Sequence, residues 1–292
     1  MSDPNKSLQH RDLTQGSIVK NLLQLSWPMI VMEATYMVSQ LWDMLWVGKA
    51  GGASSIAAIG IANLIMMLLS TVDMTLISGA RAMIARFVGA RDFESAKKVA
   101  GQTFIMAVFW GLLVTFFGSM FIRDVLGIFG LEQGVIEEGV KFLRVFFAGW
   151  ISLELLIMSL YVIQSTGDSF NPMLIEIFMR VIHLILCPLF VLGIGFPAMG
   201  IMGAALANII AQTLGAISGL VILFTGYSRM KLSLKDFRFN PGMMWREIKI
   251  GFWSMLQMLQ FNISMLVVMK ILVPFGTQAL AADRIVGNIQ GF

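Results

Sequence analysis

Four residues in one apolar stretch carry side chains able to do chemistry: Glu33, Tyr36, Gln40 and Asp43. Their spacing of 3, 4 and 3 puts them within about 80° of one another on an α-helix. Val38, Leu41 and Leu45 fall on the opposite side and suit lipid. The nine Leu, Ile and Val residues between 22 and 47 favour membrane insertion by roughly 3–5 kcal/mol in total. One acid at a helix centre costs about 2.5–3.5 kcal/mol, so two cancel most of that gain. Asp43 costs less because it lies near the helix end. Carboxylates so placed face a bundle interior or a wet cavity and mark an ion or proton route. The competing reading makes each one a structural partner of a buried basic group. A second set, Glu176, Arg180 and His183, lies one turn apart along a single helix face. Glu176 and Arg180 fit a salt bridge, and His183 fits either a proton relay or an interhelical hydrogen bond. Asn63, Ser70, Asp73, Glu154 and Asn208 are further polar residues inside apolar segments, and hydrogen bonding between helices accounts for most such residues. Asn63 and Ser70, seven apart, share a face.

The elements that hold these residues follow from composition. Of 292 residues 57% are hydrophobic and 13% charged, and the mean hydropathy is +0.80. Soluble domains hold about 25% charged residues, so a soluble chain of this composition could not cover its own surface. An all-α, polytopic membrane protein is expected. At roughly 20 apolar residues per span the chain has room for about seven or eight. Apolar segments run over 19–47, 55–80, 98–122, 141–165, 171–195, 198–226 and 249–275, and an eighth begins near Gln278. The single cysteine, Cys187, excludes an internal disulfide. No cleavable leader is expected, and the first span acts as its own insertion signal.

Basic residues set the topology. With the N-terminus inside, fourteen Lys and Arg residues fall on the inner side against four (Lys49, Arg123, Lys141 and Arg144) on the outer side. A cytoplasmic N-terminus is therefore expected, in a tail over 1–17. Six spans fill 18–226, a cytoplasmic linker 227–248, and the last piece 249–292. In Val88–Lys98 Asp92 is placed to cap the next helix, and Ser165–Pro172 reads as a tight turn. GASSIAA (52–58) is echoed by GTQALAA (276–282). The echo falls after six spans, which implies a parallel repeat whose second copy has only begun.

Several stretches together resemble the multidrug and toxic compound extrusion (MATE) transporters, in their DinF-like branch. They are SWPMI (26–30), LWDMLWVGKAG (41–51), RFVGARDFESAKKVAGQ (86–102), QSTGDSFNPM (164–173) and GIMGAALAN (200–208). The resemblance implies a twelve-helix, V-shaped fold of two six-helix bundles. This chain would carry the first bundle, helix 7 and the start of helix 8, apparently lacking the C-terminal remainder. It implies cation-coupled export of cationic or amphipathic drug-like molecules across the inner membrane, with a proton or sodium ion as the coupling ion. By position, Asp43 matches the family's coupling aspartate and Pro28 the proline about which the first helix bends. Asn208 stands where the family often has a threonine near the ion site. Two departures matter. The family's fifth helix commonly has asparagine and aspartate four apart before a proline, and here His183 and Cys187 take those places. The seventh-helix region QMLQFNIS (257–264) has amides where another branch has a glutamate. The missing second carboxylate favours protons over sodium.

No phosphate-binding loop, HExxH or cysteine-rich metal pattern is present. No enzyme activity, cofactor or nucleic-acid partner is expected; membrane lipid and a monomer are. The rival function is a lipid-linked saccharide flippase of the same superfamily. A cavity for anionic pyrophosphate lipids needs several intramembrane cations, and only Arg180, Lys270 and Arg284 qualify.

Overall fold

The computed structural model describes residues 17–195 and 197–272. Every regular element among them is helical. In chain order these are α1 (Ile18–Gly89), α2 (Phe93–Ile128), α3 (Gln133–Ala148), α4 (Trp150–Ser165), α5 (Phe170–Leu192), α6 (Ile201–Thr225), a 3-10 turn (Leu234–Phe237) and α7 (Pro241–Leu272). The echoed segment 276–282 and the start of an eighth span lie outside the described residues.

The 72 residues of α1 would reach about 108 Å if straight, far more than one bilayer. Gly52 divides it, with φ 66° and ψ −154°, a conformation that side chains with a Cβ avoid. A Cβ built on Gly48 would lie 3.0 Å from Ile56 Cδ1, so the chain reverses between them. The two halves carry the first and second of the expected apolar segments. At the far end, Arg91 takes a left-handed φ of 59° and its N–H donates to the Val88 carbonyl. Asp92 then caps α2 by accepting from the Ser95 N–H at 3.0 Å, as its position predicts. The Ser95 hydrogen bonds hold the exposed Asp92 carboxyl below its usual 3.8.

The fourth span differs from the straight segment expected at 141–165. It starts at Gln133 and bends by 54° between α3 and α4. The bend falls at Gly149, where a Cβ would meet Ile209 side-chain atoms at 2.5–2.6 Å. A close approach of α6 therefore selects glycine there. Among the described residues four helices are long and apolar enough to cross a membrane, and a fifth if the bent pair is one span. That is fewer than the seven segments expected. The first half of α1 is long enough, but Glu33, Gln40 and Asp43 dilute its apolar windows.

The turn after α5 uses Gly193, Gly195 and Gly200, all at positive φ. The segment after α6 docks onto the start of α2: Gln102 Nε2 donates to the Arg238 carbonyl, and Gln102 Oε1 accepts from the Asn240 N–H, both at 2.8 Å. Helix α7 begins at Pro241, so the last residues of the 227–248 segment are helical. It packs closely on the second half of α1. A Cβ on Gly79 would land on the Glu247 carbonyl, and one on Gly251 on the Thr75 carbonyl. As numbers fall from 79 to 75 on one helix they rise from 247 to 251 on the other, so the two run antiparallel.

Two apolar cores hold the bundle. One includes Leu76, Ala107, Leu156, Met179 and Ala211; the other includes Ile65, Val114, Trp150, Cys187 and Ala207. Between the two cores each helix also carries polar groups among its apolar residues: Thr71 and Asp73, the Trp110 indole N–H, Glu154, His183 and Asn208. The bundle thus carries a polar layer across its middle.

Candidate functional site

The site is built where the first half of α1 meets α5. Three contacts succeed one another along the two helices. The Arg180 guanidinium lies over the Tyr36 ring at 5.0 Å from its centroid. Ser39 Oγ and His183 Nδ1 are hydrogen-bonded at 2.7 Å. Cys187 Sγ donates to Asp43 Oδ1 at 3.2 Å. The last two pairs are both separated by 144 residues. A constant difference in number means that the helices run parallel, as the first and fifth spans of one chain must. Trp42 Nε1 donates to the Leu184 carbonyl at 3.0 Å and fixes the rotation of α1 against α5.

His183 Nε2 lies 3.1 Å from the same Asp43 oxygen but is misaligned for a hydrogen bond. His183 is fully buried, whereas the Asp43 side chain is 22% exposed. The carboxylate is therefore the open mouth of the cluster and the imidazole its floor. Such an arrangement can take up a proton or a metal ion from the exposed side, with oxygen, nitrogen and sulfur donors converging.

Glu176 and Arg180 form the salt bridge expected from their spacing, with Arg180 Nε 2.8 Å and Nη2 2.6 Å from Glu176 Oε1. Both side chains are largely buried, so the pair has little water to fall back on. Glu176→Gln is expected to lower the stability of the detergent-solubilised protein by about 3–5 kcal/mol, read from its denaturant midpoint, because it strands the Arg180 charge.

The other candidates are placed as follows. Glu33, Gln40 and Tyr36 are exposed and continue the stripe from Asp43 along α1. Pro28 is buried within the helix. Asn63 is exposed, and Ser70 Oγ turns back to the Met67 carbonyl. Asn208 is half-buried, and among the described residues it makes no hydrogen bond to the Asp43 group. Asp73 is 2% exposed and belongs to a separate buried group, in which Trp150 Nε1 donates to Glu154 Oε1 at 2.8 Å. Asp73 Oδ1, Glu154 Oε2 and Trp110 Nε1 have no partner among the described residues.

Three residues of consequence do not stand out in the sequence. Ser39 and Trp42 sit one turn before and one residue before Asp43, so the helical period alone could have placed Ser39 beside it. Glu247 lies between Arg246 and Lys249, like any charged helix start, yet is fully buried with Oε1 accepting from Thr103 Oγ1 at 2.8 Å.

A family model described as MatE matches residues 28–189. A probable multidrug resistance protein of Bacillus subtilis (strain 168), YoeA, is 25% identical over 273 residues, which is 91% of this chain and 58% of that protein. A probable multidrug resistance protein of Thermotoga maritima, NorM, is 24% identical, over 94% of this chain and 59% of its own length. The chain therefore spans about three fifths of the curated relatives it matches. Among solved structures, a MATE transporter in a bent conformation superposes with a TM-score of 0.82 at 25% identity, over 93% of this chain and 59% of that one.

Proposed function

Since this chain belongs to the MATE transporter family, we propose that it supplies the first bundle of a cation-coupled exporter of drug-like molecules. The exporter acts at the inner membrane with its N-terminus in the cytoplasm. Asp43 carries this reading. It is an ionisable group pinned to α5 on one side and open on the other, at the end of an exposed polar stripe. A carboxylate that gains or loses a cation there changes what holds α1 to α5, and that gives the ion a mechanical output. His183 and Cys187 offer no second anion at neutral charge, which supports a proton over sodium as the coupling ion. Asn208 stays a secondary candidate for that ion site.

The charge balance supports cationic or amphipathic substrates. Arg180 is neutralised by Glu176, so the stripe of Glu33, Tyr36, Gln40 and Asp43 presents acidic and neutral groups to its surroundings. An anionic pyrophosphate lipid, the cargo of a flippase, would meet the wrong sign of charge. The protein acts as a monomer in lipid, with no cofactor besides the transported ion.

Ethidium transport in proteoliposomes by the full-length, two-bundle exporter tests this reading. An imposed proton gradient is expected to drive ethidium movement, and a sodium gradient of equal size at constant pH is not. Ethidium that stays put under both gradients would sink it.

A further inference from the structure

We infer that Asp43, His183 and Cys187 form a binding site for a borderline-soft divalent cation of the zinc class, built from one oxygen, one nitrogen and one sulfur donor. The inference uses the same pocket as the coupling reading but not its transport role.

Geometry is the first support. The three donor atoms lie within 4.8 Å of one another. With metal–nitrogen and metal–oxygen bonds of about 2.0–2.2 Å and a metal–sulfur bond of about 2.3 Å, tetrahedral donors stand roughly 3.3–3.7 Å apart. Asp43 Oδ1 stands 3.1 Å from His183 Nε2 and 3.2 Å from Cys187 Sγ. Both pairs with Asp43 are thus a few tenths of an ångström inside the required spacing, and the His183–Cys187 pair, within 4.8 Å, needs at most a modest adjustment. The second support is the bare imidazole nitrogen. His183 is fully buried, and its Nε2 lies 3.1 Å from a carboxylate oxygen without making a hydrogen bond to it. A cation between those atoms satisfies both. When Nδ1 carries the ring proton, Ser39 Oγ at 2.7 Å accepts it and leaves Nε2 free to ligate, the arrangement usual for metal-bound histidines.

Charge and softness then choose the ion. Binding a divalent cation replaces the thiol proton of Cys187, which leaves to water past the exposed side of Asp43. Carboxylate and thiolate together offset the two positive charges, so the occupied site is neutral within the bundle. A thiolate donor favours zinc-class ions over sodium, magnesium or calcium, which prefer all-oxygen sites. Three protein donors leave one position for water, as in exchangeable rather than closed structural sites. Occupancy clamps the first half of α1 to α5.

Cobalt(II) is the probe, added to the detergent-purified protein without a histidine tag. Cys187 is the sole cysteine, so a thiolate-to-cobalt charge-transfer band in the near ultraviolet has one origin. Wild type is expected to show that band at one cobalt per chain, to release one proton per ion in weak buffer, and to lose the band when zinc is added. Since losing an outer partner of a ligand costs about 10–100-fold in affinity, Ser39→Ala is expected to weaken cobalt binding by that much while keeping the band. Cys187→Ser removes a ligand outright and is expected to cost more, about 100-fold at least. Wild-type protein that binds no cobalt, or binds it without a sulfur band, overturns the site. Missing cobalt binding alongside intact gradient-driven transport would defeat this inference and leave the coupling reading standing. A cobalt band in a protein that transports nothing would do the reverse.

Discussion

Asp43→Asn is expected to lower gradient-driven ethidium efflux by roughly 5–150-fold, the span of a coupling free energy of about 1–3 kcal/mol. Asparagine keeps the size of the side chain and can still accept from Cys187, so α1 remains docked on α5. What it loses is the capacity to change charge. The ion then has nothing to bind, and its gradient can no longer favour one arrangement of the helices over another. Ethidium binding measured by fluorescence anisotropy should change little, because Glu33, Tyr36 and Gln40, the rest of the exposed stripe, are unchanged. Efflux at the wild-type rate in the variant would remove Asp43 from the mechanism. Weak efflux accompanied by a collapsed protein would not count against it, so gel-filtration profiles of both proteins belong to the measurement.

Gly251→Val is expected to cause the largest loss of folded protein, exceeding the about 1–3 kcal/mol of ordinary overpacking. Its added carbon atoms fall on the Thr75 carbonyl, and backbone on both sides prevents either helix from turning a side chain out of the way. The whole α1–α7 contact must separate, and Gly79 against Glu247, one turn along, separates with it. Gly60→Val is the control: nothing lies within 4 Å of a Cβ there, so its folded yield should match wild type apart from helix propensity. Monodisperse yield in detergent and the thermal midpoint read both variants. Equal midpoints would mean that the close α1–α7 approach does not hold the bundle.

The sequence made the spans legible because hydropathy is a one-dimensional signal and lipid enforces it residue by residue. The Asp43 stripe was legible for the same reason, since a carboxylate in an apolar helix breaks the pattern. Its partners were less so. His183 and Cys187 could be singled out on α5, but nothing local showed that they converge on Asp43; the match appears only when two helices 144 residues apart are laid side by side. The bend at Gly149 was invisible, because apolar residues continue without interruption through Phe147, Ala148, Trp150 and Ile151. Glu247 was hidden by its neighbours. The helical period turns Arg246 and Lys249 outward while carrying Glu247 to the Gly251 face, and charge counting cannot see that rotation. The eighth-span segment lies outside the described residues, so the structure does not test the internal repeat.

The parallel register of α1 and α5 has an evolutionary consequence. Every donor at this junction depends on both helices keeping phase over two turns. One residue inserted between Arg180 and Cys187 would swing everything downstream by about 100° and send the thiol away from Asp43. Exchanges of donor type, such as histidine or cysteine for an amide or an acid, leave that phase alone. Homologous lineages can therefore retune which ion the junction prefers by point substitution, while gaps in this stretch of α5 should be selected against.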